Sequence, residues 1–323
     1  MSGAAPLRIL VSAEAAARHA DAIADATGGR PHRLVLPGAG DADVAFVSRD
    51  VTGLSTKHRV LPETQLFYDA LTAAPSLRWV HVHSAGADRP VFVALRAAGV
   101  AITTSSGANA EVVAHSALAG ILSLARRFPQ LMAAQRAHAW APLIAGPLPR
   151  DLPGQRATIV GWGPIGRHIA RLLQAFGLEV AVVRSRAEPV PSAVATVAFE
   201  DLHGLLPVTD WLVLACPLTE RTRGLVGAAA LARLPAGAHV VNVARGEIVD
   251  EPALVEALRS GHVAGAFLDV FAHEPLPADS PLWDLPQVIA TPHSAGFADG
   301  NAARVVEMFL ANLRRWCAGD ALA

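Results

Sequence analysis

Gly161-Trp162-Gly163-Pro164-Ile165-Gly166 sets three glycines at G-x-G-x-x-G spacing, directly after the apolar run Ala157–Val160. Gly161 permits a tight turn, Gly163 lets the backbone approach a pyrophosphate, and Gly166 lets helix and strand pack closely. Free N–H groups and the positive dipole at the helix start then hold the phosphates of a dinucleotide. Pro164 suits a first helical turn, where its missing N–H has no partner to lose. Further on, three polar residues stand where predicted strands end: Arg245 after 239–244, Glu274 beyond 265–270, and His293 after 287–291. Arginine can anchor a carboxylate, histidine can pass a proton, and a carboxylate can hold the imidazolium form. Singly they read as a surface charge, a loop acid before Pro275 and a turn residue after Pro292. Together, at neighbouring strand ends beside a dinucleotide loop, they make a hydride-transfer site.

The glycine loop needs a particular frame, and the sequence supplies it. A strand (157–160) precedes it; the helix that follows carries Ile165, Ile169, Leu172, Leu173 and Phe176 on one face, with Gly177 as its stop. A second strand follows at 178–183, completing a βαβ unit of the length that nucleotide-binding folds use. An NAD-type site places an acid after that second strand, to accept bonds from the ribose hydroxyls. Here the chain reads Arg184-Ser185-Arg186. Two forked guanidinium groups and a hydroxyl suit a 2′-phosphate, hence NADP(H) over NAD(H); the other reading is an exposed basic strand end.

Strands are predicted at 7–13, 32–37, 43–48, 77–82 and 100–104, with helical stretches between several of them. This alternation implies a parallel sheet covered by helices, an α/β fold. A longer apolar helix spans 110–127, and Pro142, Pro147, Pro149 and Pro153 make the segment after it irregular. Helix and loop together read as the crossing between two units. A second α/β series runs from Ala157 to about His293, and a terminal helix closes the chain.

At 323 residues the chain has room for two domains. With 27 Lys+Arg against 28 Asp+Glu it has no general pull on nucleic acid or an anionic membrane. Its longest runs without a charged side chain are 14 residues, 97–110 among them, short of a membrane span. The start MSGAAPLRIL does not resemble a secretory signal, and two cysteines build neither a disulfide framework nor a zinc site. A cytoplasmic protein without a metal is expected. The single lysine, Lys57, has no glycine loop before it, which speaks against Schiff-base and P-loop chemistry.

The segments VGWGPIGRHIARLLQAFGLEV, NVARGEIVDEPALVEAL, LDVFAHEPLPADSPLWDLPQVIATPHSAG and HSAGAD resemble the D-isomer-specific 2-hydroxyacid dehydrogenase family. In appearance they are nearest its NADPH-dependent glyoxylate/hydroxypyruvate reductases. The resemblance runs from about residue 77 onward and is weaker before it. It implies two Rossmann-like domains with parallel sheets, the cofactor domain (106–293) inserted into the substrate domain (1–105 plus 294–323). It also implies catalytic roles for Arg245, Glu274 and His293, and cofactor contacts at Ile165, Pro217 and Asp269 besides the glycine loop and Arg184–Arg186. Asp269 would meet the nicotinamide end, although alone it could merely hold the following loop. The implied substrate-carboxylate loop falls on Ala85 and Gly86, whose other reading is a simple strand-to-helix turn. In the implied mechanism Arg245 orients a small 2-oxo acid and His293 protonates the new alkoxide, with Glu274 steadying the imidazolium. A homodimer is implied too, with Trp140 on the crossing loop reaching the partner subunit's site, and Arg49 is a candidate for the substrate tail.

His115 stands where the family usually carries Glu, and is expected to pack on the long helix. Asn109 matches a family position near the site, or starts that helix. His81 and His83 share a strand face but lack a third ligand, and Cys216 reads as a small buried filler. The rival enzyme is phosphoglycerate dehydrogenase, disfavoured by the arginine pair and by an expected absence of a regulatory extension. Formate dehydrogenase is disfavoured because the resemblance implies Gln where Glu274 stands. The rival outside enzymology is a dinucleotide-sensing corepressor-like module, which an intact Arg, Glu and His set speaks against.

Overall fold

The computed structural model describes residues 5–323, in two compact units divided at Asn109/Ala110 and Phe297/Ala298. The first unit holds the described residues up to Asn109 together with Ala298–Ala323. Its strands are β1 (Leu7–Leu10), β2 (His32–Val35), β3 (Val44–Val47), β4 (Trp79–Val82) and β5 (Ala101–Thr104). They form one parallel sheet in the order β2-β1-β3-β4-β5. Val44–Val47 and Trp79–Val82 are buried at every position, as a sheet covered on both faces requires. The terminal helix Asn301–Ala318 seals one face by stacking Phe309 on Phe46, ring centroids 4.3 Å apart, with Trp79 alongside. Burying one such aromatic stabilises the fold by about 1.5–3 kcal/mol.

His81 belongs to this core. Trp79 Nε1 donates to Thr103 Oγ1 at 2.8 Å, and that hydroxyl lies 2.8 Å from His81 Nδ1. On the other side His81 Nε2 lies 3.1 Å from Ser105 Oγ, which itself donates to the carbonyl of Val82. Only a neutral imidazole protonated at Nε2 completes this relay, and burial presses the His81 pKa down to about 4. His83, 2.8 Å from Thr52 Oγ1, is pushed down to about 3 by burial and then by the charge of Arg49.

The second unit, Ala110–Phe297, carries β6 (Arg156–Val160), β7 (Glu179–Arg184), β8 (Ala195–Ala198), β9 (Trp211–Leu214), β10 (Ala238–Asn242), β11 (Val263–Leu268) and β12 (Val288–Ala290). All pairings are parallel, in the order β12-β11-β10-β9-β6-β7-β8. Chain order runs outward in opposite directions from β6 and β9, so the strand order reverses between them. A ligand crevice opens at the carboxyl ends of strands at such a point. The long helix is Ala110–Ala125, and Gly120 on it lies so close to the Phe267 ring of β11 that a Cβ would overlap it.

Two of the elements that sequence reasoning did not assign bury no face. Edge strand β8 has no fully buried position and so no strong hydrophobic signature. Helix Phe128–Arg136 also buries nothing, and the segment after it stays open: Trp140 is 95% exposed, with Ile144 and Leu148 also exposed. His115, expected to pack, is instead exposed and lies 3.9 Å from Glu111 one helical turn away. Polar faces of helices are where an i, i+4 pair of this kind belongs.

Candidate active site

At the end of β6 the chain turns through Gly161, whose φ of +111° favours glycine. Its amide donates to the carbonyl of Val183 at 2.7 Å, and a Cβ there would press on the backbone of Ala215 and Cys216. A Cβ on Gly166 would overlap the carbonyl oxygen of Gly161, whereas one on Gly163 would meet open space. Gly161 and Gly166 are thus packing glycines, and Gly163 is the one facing an opening. It caps the helix Pro164–Ala175, with Pro164 in the first turn and Ile165 after it. An open backbone cradle at the start of a twelve-residue helix, at the strand-order reversal, fits a dinucleotide pyrophosphate. Beside it, past β9, Thr222 Oγ1 donates to the carbonyl of Pro217 at 2.7 Å and closes that loop. Cys216 is buried, and burial lifts its thiol to about 12, so it is inert filler rather than a nucleophile.

Arg184 ends β7, at the strand end where the ribose is bound in folds of this type. Its Nη2 lies 3.0 Å from Glu188 Oε2, and Arg186 Nη1 lies 4.0 Å from the other carboxylate oxygen. Arg221, which sequence reasoning missed, donates to the carbonyl of Ser185 at 3.2 Å and to both carboxylate oxygens of Glu200. No local motif flags Arg221; only the fold brings it to residue 185.

Arg245, Glu274 and His293 follow the ends of β10, β11 and β12. Asn242, almost fully buried, donates from Nδ2 to the carbonyl of Arg245 and accepts the Ala244 amide at 3.1 Å. This fixes the turn that presents Arg245. Gly246 packs so tightly on the backbone of Phe271 and Ala272 that no side chain fits, locking that turn to the segment carrying Glu274. His293 Nδ1 donates to Glu274 Oε2 at 2.8 Å, while Glu274 Oε1 accepts the Phe271 amide. The Glu274 side chain is 16% exposed and the histidine 49%, so the carboxylate is sheltered and the imidazole half open. Burial pushes the Glu274 pKa up; the hydrogen bond and charge of His293, the Phe271 amide and the charge of Arg245 outweigh it and hold it below the ordinary carboxylate value. With Nδ1 engaged, Nε2 is the imidazole atom left to exchange a proton with a ligand.

Asp269 positions that histidine. Its Oδ1 accepts from Thr291 Oγ1 at 2.7 Å and from the Ser294 and Ala295 amides, while its backbone carbonyl accepts the His293 amide at 2.8 Å. These bonds hold His293 in a left-handed conformation (φ +49°) that non-glycine residues adopt uncommonly. Burial raises the Asp269 pKa, opposed by the same hydrogen bonds. Of its two expected roles, the loop-holding one is the role its carboxylate oxygens visibly fill.

In the first unit, Ala85 and Gly86 lie on the turn after β4. Ser84 Oγ donates to the carbonyl of Gly86 at 2.6 Å, and the Ala85 and Gly86 amides have no acceptor among the described residues. Arg49 begins the short helix after β3; burial and then the charge of Arg89 lower its pKa. Asn109, the last residue of this unit's first segment, has a buried, unbonded Oδ1.

Residues 118–295 match the family model described as "D-isomer specific 2-hydroxyacid dehydrogenase, NAD binding domain". The chain belongs to the D-isomer-specific 2-hydroxyacid dehydrogenase family. Among its relatives, the glyoxylate reductase of Korarchaeum cryptofilum is 34% identical over 78% of this chain and 76% of its own length. The D-3-phosphoglycerate dehydrogenase of Mycobacterium leprae is 37% identical over 70% of this chain, but the match spans only 42% of that longer protein. The crystal structure of a D-isomer-specific 2-hydroxyacid dehydrogenase from Xanthobacter autotrophicus Py2, in complex with NADPH and MES, superposes with a TM-score of 0.76 at 31% identity, covering 99% and 97% of the two chains. Its two units, each built on a parallel sheet, match the two-domain Rossmann-like architecture of solved relatives.

Proposed function

We propose that the protein reduces a small 2-oxo acid of the glyoxylate/hydroxypyruvate type to the D-2-hydroxy acid, using NADPH. The observation that carries this reading is the His293–Glu274 pair at 2.8 Å, held at the strand ends of a unit whose glycine cradle fits a dinucleotide. When bound, the nicotinamide supplies the hydride. Gly161–Gly166 hold the pyrophosphate, Arg184, Ser185 and Arg186 take the 2′-phosphate, and Ile165, Pro217 and Asp269 border the rest of the cofactor. Arg245 orients the 2-oxo acid and polarises its C2 carbonyl, and the Ala85 and Gly86 amides take its carboxylate. His293 gives the Nε2 proton to the alkoxide oxygen, and ionised Glu274 stabilises the imidazolium before that transfer. In the oxidative direction neutral His293 is the base.

The NADPH held by the Xanthobacter relative supports the cofactor assignment. The exposed apolar side chains of Phe128, Trp140, Ile144 and Leu148 support a homodimer, with Trp140 offered to the partner subunit's site and Arg49 to the substrate tail. Among the described residues no helix is long and apolar enough to cross a membrane, and we assign the enzyme to the cytoplasm. The phosphoglycerate dehydrogenase relatives favour a second reading, NAD-linked oxidation of a phosphorylated hydroxy acid. Nicotinamide absorbance with glyoxylate, hydroxypyruvate, phenylpyruvate and 3-phosphohydroxypyruvate, each with NADPH and NADH, separates the two. Turnover confined to 3-phosphohydroxypyruvate with NADH would replace the first reading by the second.

A further inference from the structure

The two arginines assigned to the 2′-phosphate already share an anion from their own chain. Glu188 Oε2 lies 3.0 Å from Arg184 Nη2 and Glu188 Oε1 lies 4.0 Å from Arg186 Nη1. Arg184 Nη1 also reaches the backbone carbonyl of Glu188 at 3.5 Å. The segment carrying this acid is tethered on both sides. Before it, Arg184 is the last residue of β7; after it, buried Val190 donates its amide to Thr196 Oγ1 at 3.1 Å. The carboxylate itself is 56% exposed and free to swing into water. Arg221 differs: its guanidinium is clamped on Glu200 at 2.7 and 3.0 Å, lies over the Phe199 ring and braces the Ser185 carbonyl. The surroundings thus hold residue 185 in place while leaving a removable acid between the guanidiniums of residues 184 and 186.

We propose that Glu188 is a built-in competitor for the 2′-phosphate, a specificity-determining residue that holds the Arg184 and Arg186 guanidiniums until a phosphate displaces it. The proposal rests on the NADPH reading given above. A phosphate monoester brings close to two negative charges and three acceptor oxygens, and so outbids a single carboxylate for two guanidiniums. A ribose 2′-hydroxyl brings neither and leaves the pair closed. Glu188 therefore weakens binding of 2′-phosphorylated ligands, first by occupying the arginines and then, once displaced, by repelling the phosphate beside it. An exposed ion pair of this kind is a small barrier, so the expected cost is about two- to fivefold in affinity. The carboxylate also offsets the mutual repulsion of the two guanidiniums in the empty enzyme.

The test is calorimetric titration of the whole enzyme with 2′,5′-ADP and with 5′-AMP, for the wild type, Glu188→Gln, Glu188→Ala and Arg184→Ala, with thermal melts as a folding check. The expected result is 2′,5′-ADP binding about two- to fivefold tighter in both Glu188 variants, a gain that shrinks with added salt, and 5′-AMP binding unchanged. Unchanged or weaker 2′,5′-ADP binding in both Glu188 variants, with Arg184→Ala impaired, overturns the competitor role and leaves the cofactor reading standing. Unchanged 2′,5′-ADP binding in Arg184→Ala overturns both.

Discussion

Glu274 and His293 are joined by a 2.8 Å bond across nineteen residues of sequence, and the backbone that carries the histidine is held in a left-handed turn by Asp269. The acid sits inside, the imidazole half outside, and Nε2 is the atom offered to a ligand. A sheltered carboxylate kept ionised beside a proton carrier is the arrangement that stabilises an imidazolium before proton transfer. His293→Ala is expected to lower kcat for reduction by about 10²–10⁴-fold, the usual worth of a positioned acid. Glu274→Gln is expected to lower kcat as well, because the imidazolium loses its partner. Steady-state rates from pH 5.5 to 9 check both.

Asp269 is expected to act through position alone. Asp269→Asn keeps an acceptor for Thr291 and Ser294 but turns an amide donor toward the Ala295 amide, which both carboxylate oxygens accept, at a cost of about 1–3 kcal/mol. The prediction is a kcat drop of more than tenfold together with faster hydrogen exchange across residues 291–295, read by mass spectrometry. Slow exchange with full activity would show that the loop does not depend on the carboxylate.

The glycines give a split prediction. Gly163→Ala adds a methyl into open space, so the melting temperature should hold while NADPH affinity falls at least tenfold. Gly166→Ala overlaps the Gly161 carbonyl, so it should lose stability as well. Trp162 fluorescence and thermal melts read the two effects separately.

Acid should destabilise the fold through buried His81 and part-buried His83 and His239. His81 and His239 are pressed to about 4 and His83 to about 3, in each case by burial first. Their folded values lie below the unfolded value of about 6.5, so the unfolded chain binds more protons between those limits. Stability is then fully present above about pH 6.5 and falls as pH drops toward 4. Glu274, with its folded pKa lowered, adds stability above the unfolded carboxylate value and loses it as pH falls through the folded one. His239→Phe keeps an aromatic ring against Trp211 and removes one titrating group, so the loss between pH 7 and 5 should be smaller. Urea unfolding at the two pH values measures it.

Much of this site was legible in the sequence because each part has a local cause. The glycine loop is written in six consecutive positions after a strand, and Arg245, Glu274 and His293 follow recognisable strand ends. What stayed hidden depends on contacts across the fold. Arg221 reaches the Ser185 carbonyl from 36 residues away, and Asp269 holds residues 291–295 by bonds that no spacing rule announces. Strand β8 and helix Phe128–Arg136 were missed because neither buries a face that would imprint a hydrophobic period. His115 was misplaced for the related reason that an apolar helix still has an outward side.

The open face of that same segment, with Trp140 at 95% exposure, predicts a dimer by sedimentation at micromolar concentration. Trp140→Ala should leave the dimer intact and raise KM for the 2-oxo acid severalfold. Monomer alone in the wild type would withdraw the shared-site role of Trp140.

The most direct measurement is kcat/KM for glyoxylate reduction with NADPH and with NADH, on the wild type and on Arg184→Asp. Charge-assisted hydrogen bonds contribute about 1.5–3 kcal/mol each when well formed, and exposure and salt reduce that. A total of about 2.8 kcal/mol corresponds to roughly a hundredfold preference for NADPH. The account predicts a preference of that order in the wild type, with Arg184→Asp depressing NADPH use steeply and leaving NADH use unchanged or improved. Equal kcat/KM for the two cofactors, or no oxidation of either with any 2-oxo acid, would contradict it.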